Sequence, residues 1–424
     1  MDWIFFIIYL LVFCWLVVKI PFFARSGVTV PARVGLFLLK VGAGIAYGLI
    51  MSKSAYYRSI ADTWRYHSDS LKETQLLFDH PGQWFTNLFV YHTADGYTKI
   101  FSTDNSYWND LKFNFMVKVL SVFNILSFGS YYTNVIFFSF ICFFGWIAII
   151  RVYNNIFPDR KQSIWIAFLF MPSFVFWCSG IHKDGLVFTG LALFFYNVYQ
   201  LLEKKDSGWK RFAGILLALV LIVPQSNYLI LAIVPGTLAW WLSKKFKARS
   251  AVWFAVVFGI CIALFFLSTR LPRPYNLPQA LANKQDEFLK LDARSLMNHD
   301  SLQPHFSDYV KQLPRAVNHV FLRPYIWESE SILYVLPALE LVGIYLILAA
   351  FLIYGPTRVR FMPSLSFGIL VAFAMLLVLG FTVPILGALV RYRSLYIPFL
   401  LIPLMAGTDW RKLLFDLKNK LRLK

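Results

Sequence analysis

Residues 177 to 186 read WCSGIHKDGL, and three ionisable side chains, His182, Lys183 and Asp184, occupy adjacent positions between two long apolar runs. An imidazole, an amine and a carboxylate this close together can move protons, hold an anion or line a polar pocket. The plainer account is that Lys183 and Asp184 pair with each other, Asp184 serving as the N-terminal carboxylate of the next helix. Three other stretches have the same character. ADTWRYHSDS, residues 61–70, offers Asp62, Arg65, His67 and Asp69, which also suit an ordinary solvated loop. VNHVFLRPYIWESE, residues 317–330, carries His319, Arg323, Glu328 and Glu330, with Tyr325 and Trp327 suited to an aromatic belt. GALVRYRSLYIPF, residues 387–399, sets Arg391 and Arg393 on either side of Tyr392, and guanidinium forks bind phosphate bidentately.

These groups must be positioned by apolar elements. The chain is 58% hydrophobic and only 15% charged, with a mean hydropathy of +0.59, which places it among polytopic membrane proteins. The fold class expected is therefore all-α, a polytopic transmembrane helix bundle. A net charge of +19 raises nucleic acid as a partner, but in a membrane protein the location of Lys and Arg relative to the spans comes first. Cys14, Cys142, Cys178 and Cys261 fall in or beside apolar runs, with neither disulfide-framework nor metal-ligand spacing, and read as packing residues. The apolar stretch from Trp3 to Val18 is preceded only by Asp2 and followed by positive charge, which argues for a first span with its N-terminus outside rather than a removable signal peptide.

With basic loops assigned to the cytoplasm, about eleven spans follow, near 3–19, 35–51, 132–150, 163–178, 185–202, 212–224, 227–243, 251–268, 333–354, 363–385 and 394–407. The inner loops then hold 22 of the 41 basic residues and five acidic ones. Residues 113–132, apolar but bearing Lys118 and ending in a Gly-Ser turn, are expected to form an interfacial or re-entrant helix; a crossing there would invert the charge pattern that follows. Residues 1–34 form an extra N-terminal span with its basic loop, 35–407 the core, and 408–424 a basic cytoplasmic tail. Two long extracytoplasmic segments, 52–112 and 269–331, are too aromatic for linkers. Phe85 and Phe89 suggest helices lying along the headgroups. Lys40, Lys118 and Glu340 are the main intramembrane charges, and Glu340 needs a partner that the sequence does not name.

An Asp-bearing outer loop after an early span, with the RYRSLYIP element at the last one, resembles the GT-C class of integral-membrane glycosyltransferases. PSFVFWCSGIHKDG is similar to stretches in bacterial envelope-polysaccharide membrane proteins, including O-antigen-type oligosaccharide polymerases. The likeness covers about residues 35 to 407. This chain departs from the pattern by its extra N-terminal helix and by lacking a paired-acid motif at Asp62. The resemblance implies an acid in the first outer loop acting as base on the acceptor, a role that falls by position to Asp62, with Asp69 as the fallback. It also implies basic groups holding a polyprenyl-linked phosphate.

The expected function is thus transfer of a sugar from a polyprenyl-phosphate-linked donor to an envelope glycan or lipid acceptor, at the extracytoplasmic face of a bacterial inner membrane. Asp62 deprotonates the attacking hydroxyl and Arg391 and Arg393 hold the phosphate. His182, Lys183 and Asp184 shape the donor pocket, and Arg65, His67, Arg323 and Tyr392 complete the substrate contacts. No nucleotide-binding loop and no metal cluster is evident, and the partners expected are bilayer, lipid-linked sugar and acceptor rather than nucleic acid. No cofactor follows from the residues, although a divalent ion on the phosphate is compatible with them. The alternatives are a polymerase using polyprenyl pyrophosphate and, in a different class, a lipid-linked oligosaccharide flippase or transporter, whose charges should gather at the bilayer midplane.

Overall fold

Val30–Ser52 shows how the sequence builds its helices. Thr29 is extended, Pro31 fits the first turn, and the side buried in the protein runs Arg33, Leu36, Phe37, Lys40, Val41, Gly44, Tyr47, Gly48, Met51, a stripe at helical period. The computed structural model describes the chain except residues 1, 54–57, 59–60, 89–106, 247–248, 273–274, 292, 294, 299, 329–331, 357–361 and 423–424, so that Phe89 and Glu330 lie outside the described residues. Seventeen helices matter below: α1 Asp2–Lys19, α2 Val30–Ser52, α3 Asp62–Asp79, α4 Tyr107–Ser127, α5 Tyr131–Ile156, α6 Pro172–Trp177, α7 Lys183–Leu202, α8 Trp209–Ile222, α9 Ile230–Lys245, α10 Ser250–Leu267, α11 Leu277–Leu289, α12 Phe306–Val317, α13 Ile332–Tyr354, α14 Pro363–Thr382, α15 Leu386–Ser394, α16 Ile397–Gly407 and α17 Trp410–Arg422. Among the described residues there is no strand, only an isolated bridge between Leu296 and Ile385.

Among the described residues, six helices are long and apolar enough to cross a membrane, namely α2, α5, α7, α10 with its 3₁₀ extension to Arg270, α13 from Tyr334, and α14. The pair α15 and α16, bent by 56°, makes up to seven. This does not confirm the eleven spans expected. Residues 163–178 are broken into Lys161–Ile166, a 3₁₀ turn Ala167–Phe170 and α6, with Met171 out of helical geometry ahead of Pro172. α8 has 14 residues and α9 has 16, so α8 is about 21 Å long where a hydrocarbon core is about 30 Å thick. α4, interfacial or re-entrant by expectation, is a helix of 21 residues that ends in a turn with Phe128 and Gly129 at positive φ and is not among the six.

The apolar helices differ in what surrounds them. In α7 the window is 78% buried, whereas in Ser250–Arg270 it is 17% buried, and Val252, Val256, Ile260 and Leu264 stand exposed. Apolar surface of that extent on a helix whose backbone is internally hydrogen-bonded is what a bilayer accommodates.

The chain forms two compact units, Met1–Arg151 with Val175–Leu201 and Asp206–Asn227, and Val152–Phe174 with Leu202–Lys205 and Tyr228–Lys424. In the first, α3 packs on α4 through a buried polar seam. Asn124 Nδ2 donates to Ser70 Oγ at 2.9 Å and Thr74 Oγ1 at 3.1 Å, and Asn134 Nδ2 donates to Asn124 Oδ1 at 2.6 Å. Lys118 pairs with Glu73 and lies over the Trp84 ring. In the second, Tyr309 donates to the Pro278 carbonyl at 2.9 Å, and Gln285 joins Leu302 N–H to the Phe381 carbonyl. Glu340 finds there the partner that the sequence withheld, accepting from Ser173 N–H at 2.8 Å and Ser173 Oγ at 2.7 Å in the first turn of α6.

The seam predicts that Asn124→Ala, by leaving buried hydroxyls and the Asn134 amide short of a partner, lowers stability by about 1–3 kcal/mol. Lys72→Ala, which removes an exposed ion pair with Asp69, changes it by less than about 1 kcal/mol. Thermal unfolding midpoints in detergent, compared across the two variants, check the difference.

Candidate functional site

Two helix starts bring the candidate acids together in the first unit. Asp62 stands in the first turn of α3 and Asp184 in the first turn of α7, where the helix dipole favours a carboxylate. His182 lies between them. Its Nε2 is 3.5 Å from Asp62 Oδ2 and its Nδ1 is 3.1 Å from Asp184 Oδ2. Side-chain exposure is 4% at Asp184, 1% at His182 and 43% at Asp62, so one end is sealed and the other meets the surroundings. Nδ1 is also 3.2 Å from the Asp184 amide N–H. Unprotonated, Nδ1 accepts from that amide; protonated, it donates to the Asp184 carboxylate, and the choice of tautomer sets what Nε2 presents to Asp62. The 3.5 Å gap is longer than a resting hydrogen bond.

The turn that carries His182 is held from below. Lys40, fully buried in α2, donates from Nζ to the Cys178 carbonyl at 2.6 Å and reaches Ser179 Oγ at 3.5 Å, with its cation 4.9 Å from the Trp146 ring centroid. Gly44, one turn along α2, allows the turn to sit this close: a Cβ there would lie 2.7 Å from the Ser179 carbonyl oxygen. The start of α3 is held separately. Trp64 stacks on Tyr131 with centroids 4.1 Å apart and donates from Nε1 to the Gly48 carbonyl at 3.2 Å, and Thr63 and Tyr131 share a hydrogen bond of 2.7 Å. Asp62 thus projects from a fixed first turn.

The remaining residues of the first unit take other positions. Arg65 is exposed, lies over Phe113, and is 4.0 Å from Asp69, which also pairs with Lys72 at 3.3 Å. His67 is turned toward the packed side, its ring edge-on to Tyr131 at 5.4 Å, and burial pushes its pKa below the ordinary 6.5. Lys183 is half-buried and pairs with no acid among the described residues; Asp184 turns to His182 in its place. In the second unit, Arg323 forks onto Glu328, with Nη2 to Oε1 at 2.5 Å and Nε to Oε1 at 2.9 Å. Arg393 is 3% exposed and gives Nη1 to the Val320 carbonyl at 3.0 Å and the Arg323 carbonyl at 2.6 Å, while its Nε has no partner among the described residues. Arg391 and Tyr392 are half-buried, the Arg391 guanidinium 5.2 Å from the Tyr392 ring. Among the described residues no cluster of three or more His, Cys, Asp or Glu side chains is arranged to hold a metal ion.

Residue types and spacing alone put Asp62 and His182 in separate roles and do not mark Lys40 as the support of the turn. The only signal for Lys40 was its position on the buried stripe of α2, where a lysine must find an acceptor.

Two consequences are measurable. Leaving a buried carbonyl without its donor costs about 1–3 kcal/mol, so Lys40→Met, which frees the Cys178 carbonyl, should raise the maleimide reactivity of the buried Cys178 thiol by about fivefold or more; unchanged labelling would remove Lys40 from this role. His67, with its folded pKa depressed, binds fewer protons than the unfolded chain once pH drops below about 6.5. Its contribution to stability is present above that pH and lost as pH falls through the folded value. Melting midpoints between pH 7.5 and 5 should therefore fall less steeply in His67→Gln than in the wild type. Comparison with family models, with curated proteins and with solved structures finds no match to this chain.

Proposed function

We propose that the chain is an integral-membrane glycosyltransferase that moves a sugar from a polyprenyl-phosphate-linked donor to a hydroxyl of an envelope glycan or lipid, at the extracytoplasmic face. One observation carries this reading: a half-exposed carboxylate, Asp62, backed by a buried imidazole that is itself backed by a buried carboxylate. Asp62 takes the proton of the acceptor hydroxyl as its oxygen attacks the anomeric carbon. The bond from that carbon to the phosphate oxygen breaks with its electron pair leaving on the phosphate, and the configuration inverts. His182 stands where it can share the proton that Asp62 acquires, and Asp184 fixes the ring and balances its charge. Burial of the imidazole and of Asp184 makes this balance effective, since water does not screen it.

The chemistry is supported by the residue types and the difference in exposure, and the sugar-lipid substrate by the resemblance of the 172–185 stretch to envelope-polysaccharide proteins. Reconstitution with radiolabelled polyprenyl-phosphate sugars tests the reading. Wild type should transfer label to acceptor; Asp62→Asn should lose about 10²–10⁴-fold, the usual worth of a positioned base; and Asp69→Asn should keep most of the rate. Equal transfer by wild type and Asp62→Asn removes the assignment. Label that reacts only as a polyprenyl-pyrophosphate oligosaccharide identifies a polymerase, and label that changes leaflet with its bonds intact identifies a flippase.

A further inference from the structure

The last helix, α17, starts where an apolar segment ends. α16 stops at Gly407, and Trp410, the first residue of α17, donates from Nε1 back to the Met405 carbonyl at 2.8 Å. Asp409 is fastened by its N–H to the Tyr354 carbonyl at 3.0 Å and lies 3.7 Å from Arg160. The first turn of α17 is therefore fixed at the end of a helix pair that is apolar enough for hydrocarbon. A short amphipathic helix placed there has its outward face at the headgroup level.

That face has a definite composition. At about 100° per residue, Trp410, Leu414 and Leu417 form one stripe, and Leu414 and Leu417 are 55% and 49% exposed. Arg411 and Lys418 flank the stripe on one side and Lys420, a turn past the half-buried Asp416, on the other, all exposed, whereas Lys412 and the exposed Phe415 point away from the stripe. Leu413 and Asp416, both half-buried, mark the side turned to the rest of the second unit. An apolar stripe bordered by cations whose stems are long enough to reach back to a polar layer fits one kind of surface, a negatively charged lipid leaflet.

We propose that α17 lies in the plane of the membrane and binds anionic phospholipid headgroups, with Leu414 and Leu417 in the acyl boundary and Arg411, Lys418 and Lys420 on the phosphates. Binding of this kind holds the end of α16 and the Asp409 contacts in place by attaching the following helix to the bilayer. It is independent of the catalytic reading and stands or falls apart from it. Each flanking cation is worth about fivefold in attraction to an anionic surface, so the three together account for about two orders of magnitude.

The test uses the full chain in nanodiscs holding one copy each, made of phosphatidylcholine alone or mixed with phosphatidylglycerol. Cys14 and Cys261, the two native thiols that are not fully buried, are replaced by Ser, and Leu417→Cys carries an environment-sensitive bimane. In discs with phosphatidylglycerol the emission should shift to the blue and be quenched by lipids brominated on their acyl chains, and both effects should be markedly weaker in phosphatidylcholine alone. Arg411→Gln/Lys418→Gln/Lys420→Gln should abolish the difference between lipids, and Lys412→Gln should preserve it. Water-like emission in both lipids, equal quenching in both, or a lipid difference that survives the triple substitution overturns the proposal. Binding of a second copy or of another protein at this face predicts the first of these results.

Discussion

The contact of the His182 ring with a carboxylate on each side is the constraint around which the first unit is arranged. A polar ring buried to this degree needs partners, and Asp184 at 3.1 Å and Asp62 at 3.5 Å supply them. Both acids come from helix starts, so the backbone dipoles of α3 and α7 add to the same end. The line has a direction, from the sealed Asp184 to the half-exposed Asp62, so Asp62 is the member of the three that meets the surroundings.

The supports are polar groups buried among apolar helices, and each is satisfied by a main-chain, hydroxyl or amide partner rather than by a full ion pair. Lys40 uses the Cys178 carbonyl and the face of Trp146, Asn124 bridges Ser70, Thr74 and Asn134, and in the second unit Glu340 closes on Ser173. In a low-dielectric interior such bonds are expensive to leave unmade, so they fix the positions of turns that apolar packing alone leaves adjustable. The same logic explains why the buried Arg393 is bound to two carbonyls.

Much of the helical fold was legible because a helix that buries one stripe repeats at a fixed period; α2, with Leu36, Phe37, Lys40, Val41 and Gly44 in register, shows this directly. What hydropathy could not show was continuity. Residues 163–178 are apolar enough for a span, yet Pro172 displaces Met171 from helical geometry and the segment breaks. The stretches covered by α8 and α9 have the right composition and too few helical residues. At the candidate site, the nearness of Arg65 to Asp69 follows from helical spacing, whereas the meeting of Asp62 with His182 joins parts of the chain far apart in sequence. The partner of Glu340 is partly a backbone N–H, and that of Lys40 mainly a backbone carbonyl, groups every residue carries, so side-chain types gave no indication of either.

The claim that Asp62, His182 and Asp184 act as one unit is tested most directly by a double-mutant cycle on unfolding, which needs no substrate. Asp62→Asn, Asp184→Asn and the pair are compared by denaturant or thermal unfolding of the purified chain. Because both acids address one ring, the account predicts a coupling of about 0.5–3 kcal/mol between them, and a coupling near zero once His182→Gln is added to all members. Effects that add to within about 0.5 kcal/mol in the presence of His182 would contradict it.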